Sequence, residues 1–152
     1  KENRELPELR YGWAYRLKAE RPDLQIILNG GVKTLADVKE HVQRLDGVML
    51  GRAAYQNPWF LAECHGELYG STGVADRASA VLVMSEYART QVGQGVPVKH
   101  ISRHTLGLFH GLPGARRWRR FISENAHTDA ANDRLLLQAL DAMKASSGRH
   151  VV

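Results

Sequence analysis

Asn29-Gly30-Gly31 and Gly51-Arg52 are the residues whose types and spacing could hold an anion. Glycines let backbone N–H groups approach a phosphate closely, because no Cβ stands in the way. Arg52 adds a planar guanidinium that can fork onto two phosphate oxygens. Each stretch follows a short apolar run, Leu24-Gln25-Ile26-Ile27-Leu28 in one case and Gly47-Val48-Met49-Leu50 in the other. If both runs are parallel strands one βα unit apart, the two stretches are neighbours at the strands' carboxyl ends. Ligands of α/β proteins bind there, and TIM barrels often hold a phosphate on the loops after their last two strands. A helix opening after Arg52 would add its positive end. Taken singly, Asn29-Gly30-Gly31 reads as a turn and Arg52 as a surface charge. Taken together they point to a phosphate site without naming the ligand.

A second chemistry-bearing stretch is Arg116-Arg117-Trp118-Arg119-Arg120. On a helical wheel Trp118, Phe121, Ile122 and Asn125 fall on one side. Arg116 and Arg120 fall opposite, with Arg117 and Arg119 on the flanks. Such a helix buries Trp118 and Phe121 and presents a dense cationic face. Like charges this close repel one another. A phosphate backbone would neutralise them and release its counterions. Lys99, Arg103 and His104 could widen the patch. The competing reading is a solvated basic face, and Trp118 is read as core rather than as a base-stacking platform.

Two other constellations carry less. His100 and His104 stand at i, i+4, a spacing that suits a metal pair, but no nearby Cys, Asp or Glu completes a ligand set, so no metal is expected. Cys64 and His65 are adjacent, and adjacent residues on a helix do not face each other, so Cys64 reads as a small core residue.

The elements that must position these residues follow from periodicity. Leu9, Trp13 and Leu17 make one apolar stripe after Pro7, a helix that Pro22 stops. Residues 24–28 and 47–50 read as short buried strands. Between them Thr34 can cap a helix whose core stripe is Leu35, Val38, Val42 and Leu45, with Asp37 three residues after the cap. Asn57-Pro58 supplies an N-cap and a first-turn proline for a helix through about residue 68. This alternation predicts right-handed βαβ crossovers and a parallel sheet.

Gly70-Ser71-Thr72-Gly73 reads as a linker, and no strand is expected after it. Asp76 can cap a helix with Ala78, Val81, Leu82, Ser85, Ala88 and Val92 on one face, ended by Gly93 and Gly95. Further helices are expected over residues 98–110, with Ile101, Thr105 and Leu108 inward, and over residues 115–126. Asn132 caps a last one whose stripe is Leu136, Leu140 and Met143. Four helices with short connections suggest a small bundle. The expected organisation is therefore residues 1–70 as an α/β part and residues 71–152 as an all-α part. Two strands are too few for a parallel sheet, and a barrel needs eight, so the first part reads as a piece of a larger fold.

Composition sets the outer bounds. The chain has 152 residues, 43% hydrophobic and 24% charged, as in an ordinary folded protein rather than a disordered one. No run of eighteen apolar residues predicts a membrane helix, and the charged start Lys1-Glu2-Asn3-Arg4-Glu5 is no signal peptide. The missing initial Met leads to the expectation of sequence upstream. One cysteine excludes an internal disulfide and fits a cytoplasmic setting. A net charge of +5 favours a polyanionic partner, most simply nucleic acid.

Several of these motifs together resemble the A-type tRNA-dihydrouridine synthases. They are Lys1 to Glu5, Asn29-Gly30-Gly31-Val32-Lys33-Thr34, Asp46 to Arg52 with Tyr55-Gln56-Asn57-Pro58, and Arg103-His104 through Ser123-Glu124-Asn125-Ala126-His127. The resemblance runs through nearly the whole chain, and is weakest over residues 71–94 and after His127. It implies the last βα units of an FMN-binding TIM barrel followed by a helical tRNA-binding domain. It also implies an FMN enzyme that draws on NADPH to reduce the C5–C6 bond of D-loop uridines in tRNA. In such enzymes reduced flavin gives a hydride to C6 and a cysteine gives the proton to C5. By the same resemblance Asn29, Gly30, Gly31, Gly51 and Arg52 hold FMN, mainly its phosphate, whereas Lys1, Arg4, Arg116 and Arg119 contact tRNA. The family's catalytic cysteine is expected upstream of Lys1, so this chain alone should not reduce uridine, and Cys64 does not replace it. The full-length protein is expected to be a monomer with no membrane segment. Two rival readings remain: an autonomous RNA-binding module, and a phosphate-binding barrel enzyme acting on a small molecule.

Overall fold

In the computed structural model, residues 8–71, 73–128 and 131–147 are described. They fall into two compact units that divide between Ala53 and Ala54. The first unit runs α1 (Tyr11–Glu20), β1 (Ile27–Asn29), α2 (Leu35–Val42) and β2 (Gly47–Met49), and the boundary falls within α3 (Arg52–Gln56). The two strands are parallel, with Ile27 opposite Gly47, Leu28 opposite Val48 and Asn29 opposite Met49. The expected β–α–β order is therefore present in this unit, with strands shorter than the apolar runs that predicted them.

Local signals explain where the elements start. Thr34 Oγ1 accepts from the Asp37 N–H at 3.1 Å, and the Asp37 carboxylate accepts from the N–H groups of Thr34 and Lys33, each at 2.9 Å. This is a reciprocal capping box, and its two backbone donors hold the Asp37 carboxyl below its ordinary pKa. Lys18 Nζ donates to the carbonyls of Pro22 (3.1 Å) and Leu24 (2.8 Å) and to Asp46 Oδ1 (2.9 Å). Asp46 Oδ2 also accepts from the Ile26 N–H at 2.8 Å, so one ion pair ties the end of α1 to the approaches of both strands. His41 is buried, with Nδ1 2.6 Å from the Tyr15 hydroxyl and its ring 4.5 Å from that of Tyr11.

Burial in this unit departs from expectation. The α1 stripe lies open, with Leu9 at 41%, Trp13 at 67% and Leu17 at 45% exposure. The strands are not buried on both faces either: Leu28 is buried, while Ile27 and Met49 are about half exposed. Parallel strands are normally covered on both sides, and a two-stranded sheet leaves those faces open.

The second unit is helical. It holds α4 (Trp59–Tyr69), α5 (Arg77–Gly93), α6 (Lys99–Ser102) with a 3-10 turn over Arg103–Thr105, α7 (Ala115–Asn125) and α8 (Leu135–Ser147). Asp76 caps α5 by accepting from the Ser79 N–H at 2.7 Å. Helix α8 packs against both α7 and α5. The core they share includes Val81, Leu108, Phe109, Trp118, Ile122, Leu135, Leu136 and Leu140. Ile101, Thr105 and Leu108 point inward as expected, but the long helix over residues 98–110 is only α6 and its 3-10 turn.

Three further differences concern boundaries and faces. Leu82 is exposed rather than on the buried face of α5. Asn57 makes no capping bond, since α4 is entered at Pro58 without a side-chain acceptor and the buried Asn57 Oδ1 has no partner among the described residues. The division of compact units also lies before α4, not at Gly70. The reason is packing: Trp59 joins the helical core, the Arg77 guanidinium sits 4.8 Å over its ring, and Arg77 reaches Glu63 at 3.9 Å.

Candidate functional site

The parallel register brings the first pair of predicted stretches together. Asn29 ends β1 directly opposite Met49 at the end of β2, so Gly30-Gly31 and Gly51-Arg52 leave the same end of the sheet side by side. Tyr11 donates its hydroxyl to the Gly30 carbonyl at 3.1 Å, which fixes the loop from above. Gly31 has φ +72°, and a Cβ there would collide with Tyr11 Oη and Leu9 Cδ1. Only glycine lets the chain turn beneath those two side chains. Gly51 is open on its outer side, where an added Cβ would meet only Met49 Sδ at 3.8 Å. Arg52 is exposed and makes no ion pair among the described residues. The site is thus a glycine-bearing strand end with one uncommitted guanidinium, an arrangement suited to a phosphate oxyanion.

The second site is α7. Trp118 is fully buried and Ile122 nearly so, whereas Phe121, expected inside with Trp118, is only partly buried against the core. The Trp118 indole N–H donates to the Thr105 carbonyl at 2.9 Å, and its ring meets Phe109 edge-on at 4.9 Å. These contacts turn the opposite face of the helix outward, and Arg116, Arg117, Arg119 and Arg120 are all exposed. The four are not equivalent. Arg120 Nε donates to Glu124 at 2.7 Å, one turn along, and the carboxylate raises the Arg120 pKa further. Arg116, Arg117 and Arg119 pair with no carboxylate among the described residues. Arg116 and Arg119 stand at i, i+3, so they share a face. The i, i+4 spacing of Arg120 and Glu124 was available in the sequence as the signal that this arginine is internally compensated.

The remaining candidates are placed as follows. Lys1 and Arg4 lie outside the described residues. His100 and His104 do not share one α-helix, because α6 ends at Ser102. His104 instead accepts from Arg103 Nε at 3.1 Å and meets the Tyr55 ring at 5.8 Å. Cys64 is buried, and burial with the Glu63 charge pushes its thiol pKa up, away from a nucleophilic thiolate. Sequence reading did not anticipate an apolar cavity of about 440 Å³ in the helical unit, lined among others by Trp59, Ala62, His65, Met84 and Leu108. No helix among the described residues is long and apolar enough to cross a membrane.

Comparison with known proteins decides the family. A family model described as dihydrouridine synthase matches residues 1–145. The chain belongs to the dihydrouridine synthase family. Proteins named tRNA-dihydrouridine(20/20a) synthase from Salmonella typhimurium and Vibrio cholerae are each 50% identical to it over 141 residues. That stretch is 92% of this chain and 42% and 43% of those proteins, respectively. A protein of the same name from Escherichia coli is 49% identical over 141 residues, 41% of its length. The chain therefore spans about two fifths of the length of the curated relatives it matches. The glycine-bearing strand ends and the arginine helix both lie within the matched residues.

Proposed function

We propose that this chain forms the flavin-phosphate end and the tRNA grip of an A-type tRNA-dihydrouridine synthase. The observation that carries the reading is about 50% identity over 92% of the chain to proteins named for that activity. On this reading the first unit belongs to a TIM barrel whose other strands cover Ile27, Met49 and the open stripe of α1. Backbone N–H groups of Gly30, Gly31 and Gly51 and the guanidinium of Arg52 hold the phosphate of FMN, with Asn29 beside them. The fit is chemical: the N–H groups of Gly31 and Arg52 donate to no turn or loop carbonyl, and the guanidinium has no acid partner among the described residues. Bound FMN supplies the two-electron chemistry, drawn from NADPH, that reduces the C5–C6 bond of a tRNA uridine.

The chain's own residues do the holding. Tyr11 and Leu9 keep the Gly30-Gly31 turn in place. Arg116 and Arg119 meet tRNA phosphates, with Lys1 and Arg4 assigned to the same task by family likeness. No residue of this chain is assigned the proton-donating role, which falls to a cysteine outside it; Cys64 is buried and not open to a substrate. An autonomous binding module is disfavoured by the open apolar faces of α1 and the strands. An enzyme for small molecules leaves the uncompensated arginines of α7 without a purpose.

The test of the flavin site is Arg52→Ala in the complete gene product. Flavin absorbance per polypeptide after purification should fall below that of the wild type. Full flavin occupancy would remove Arg52 from the site.

A further inference from the structure

Tyr55 is a large aromatic side chain left 61% exposed beside a cationic dipeptide. Its ring meets that of His104 nearly perpendicular, at 5.8 Å and 81°. His104 Nε2 accepts from Arg103 Nε at 3.1 Å, which requires the lone pair of that nitrogen and holds the guanidinium next to the ring pair. Arg103 is exposed and makes no ion pair among the described residues. An exposed aromatic ring, a polar ring and a guanidinium with no carboxylate partner among the described residues thus lie in a row: Tyr55, His104, Arg103.

The support beneath this row is closely packed and hydrogen-bonded. A Cβ on Gly107 would run into the Gln56 carbonyl oxygen and stand 2.7 Å from its carbon and 3.1 Å from Pro58 Cδ. Glycine at 107 therefore lets the segment that carries Tyr55 rest directly on the chain that follows His104. The Thr105 hydroxyl donates to the Ser102 carbonyl at 2.8 Å, and the Thr105 carbonyl receives the Trp118 indole N–H at 2.9 Å. The same contacts that seat the arginine helix also hold this aromatic surface in place, so little ordering remains to be done on binding.

We propose that Tyr55 is a stacking platform for an unpaired base of the RNA partner, with Arg103 meeting the phosphate next to that base. The inference rests on the tRNA reading given above and assigns it a contact outside the arginine helix. Flat aromatic side chains beside a guanidinium suit single-stranded RNA, whose unstacked bases each offer a π-face. A fully paired duplex would present no free base to the ring.

Binding of the cognate tRNA by the complete gene product, titrated with salt, separates the contributions. Tyr55→Leu should weaken binding about five- to hundred-fold at every salt concentration, with the slope of log K against log salt unchanged. Tyr55→Trp and Tyr55→Phe should keep wild-type affinity, because each keeps a ring. Arg103→Gln should weaken binding and lower the slope by about 0.7–0.9. On a fully paired RNA duplex Tyr55→Leu should make no difference. Wild-type affinity in Tyr55→Leu, or equal loss in Tyr55→Leu and Tyr55→Phe, overturns the platform while the arginine-helix reading stands. If the wild type fails to bind tRNA, both readings fall together. A wild-type melting temperature for Tyr55→Leu is expected from its exposure. If that variant melts early, the comparison of Tyr55→Phe and Tyr55→Trp with Tyr55→His decides instead, since the smaller, more polar ring should stack more weakly. Equal affinity in all three would overturn the platform.

Discussion

The indole nitrogen of Trp118 and the carbonyl oxygen of Thr105 lie 2.9 Å apart, and this hydrogen bond joins the arginine helix to the basic segment that precedes it. Trp118 has no exposed surface, and Thr105 closes the 3-10 turn that carries Arg103 and His104. One buried side chain therefore sets the position of two cationic stretches. The Thr105 carbonyl also accepts from the Leu108 N–H at 3.0 Å, so it keeps a partner if the indole is lost.

Trp118→Phe should consequently be tolerated but destabilised, by about 1–3 kcal/mol, through one lost hydrogen bond and a small cavity. Trp118→Ala should cost about 3–5 kcal/mol. Chemical denaturation read by circular dichroism would measure both. A Trp118→Phe variant as stable as the wild type would mean that the hydrogen bond contributes nothing.

The pairing of Arg120 with Glu124 ranks the arginines of α7. Arg120 is already partly neutralised at 2.7 Å, so Arg120→Gln should lower the salt slope of tRNA binding less than Arg119→Gln does. Glu124→Gln should strengthen binding, because it frees the Arg120 charge and removes an anion from the face. Equal slopes for the two arginine variants, or weaker binding in Glu124→Gln, would show that the ion pair does not persist in the complex.

Acid should loosen the first unit through Asp46. Its carboxyl is held below the ordinary carboxylate range by the Ile26 N–H and then by Lys18. A depressed folded pKa means the contribution is complete above the unfolded value of about 3.9 and disappears as pH falls through the folded pKa. Asp46→Asn should therefore melt below the wild type near neutral pH, and the gap should narrow as pH is taken under about 4. A gap independent of pH would contradict the assignment.

Much of this fold was legible because its signals are local. Thr34 with Asp37, and Asp76 before α5, announce helix starts through side chains three residues from their donors. The heptad-scale spacing of Trp118, Ile122 and Asn125 gives the buried side of α7 directly. Periodicity says which face of an element is apolar, but not whether its cover lies within the same chain, so the stripe of Leu9, Trp13 and Leu17 is legible while its exposure is not. The break of residues 98–110 into α6 and a 3-10 turn depends on tertiary contacts, among them the Trp118 hydrogen bond to Thr105. The linkage of His41 to Tyr15 spans 26 residues and has no local signature. For the candidate sites, the strand-end glycines and the arginines were visible as residue types. Their separation into committed and uncommitted charges needed the geometry of Glu124.

On the proposed reading α7 grips tRNA through its uncompensated arginines, Arg116 and Arg119. The most direct measurement is tRNA affinity of the complete gene product against salt concentration, for the wild type and for the Arg116→Gln, Arg119→Gln double variant. Binding should weaken and the slope should fall by about 1.4–1.8, two phosphate contacts' worth. Unchanged affinity and slope would contradict it and leave α7 a solvated basic face.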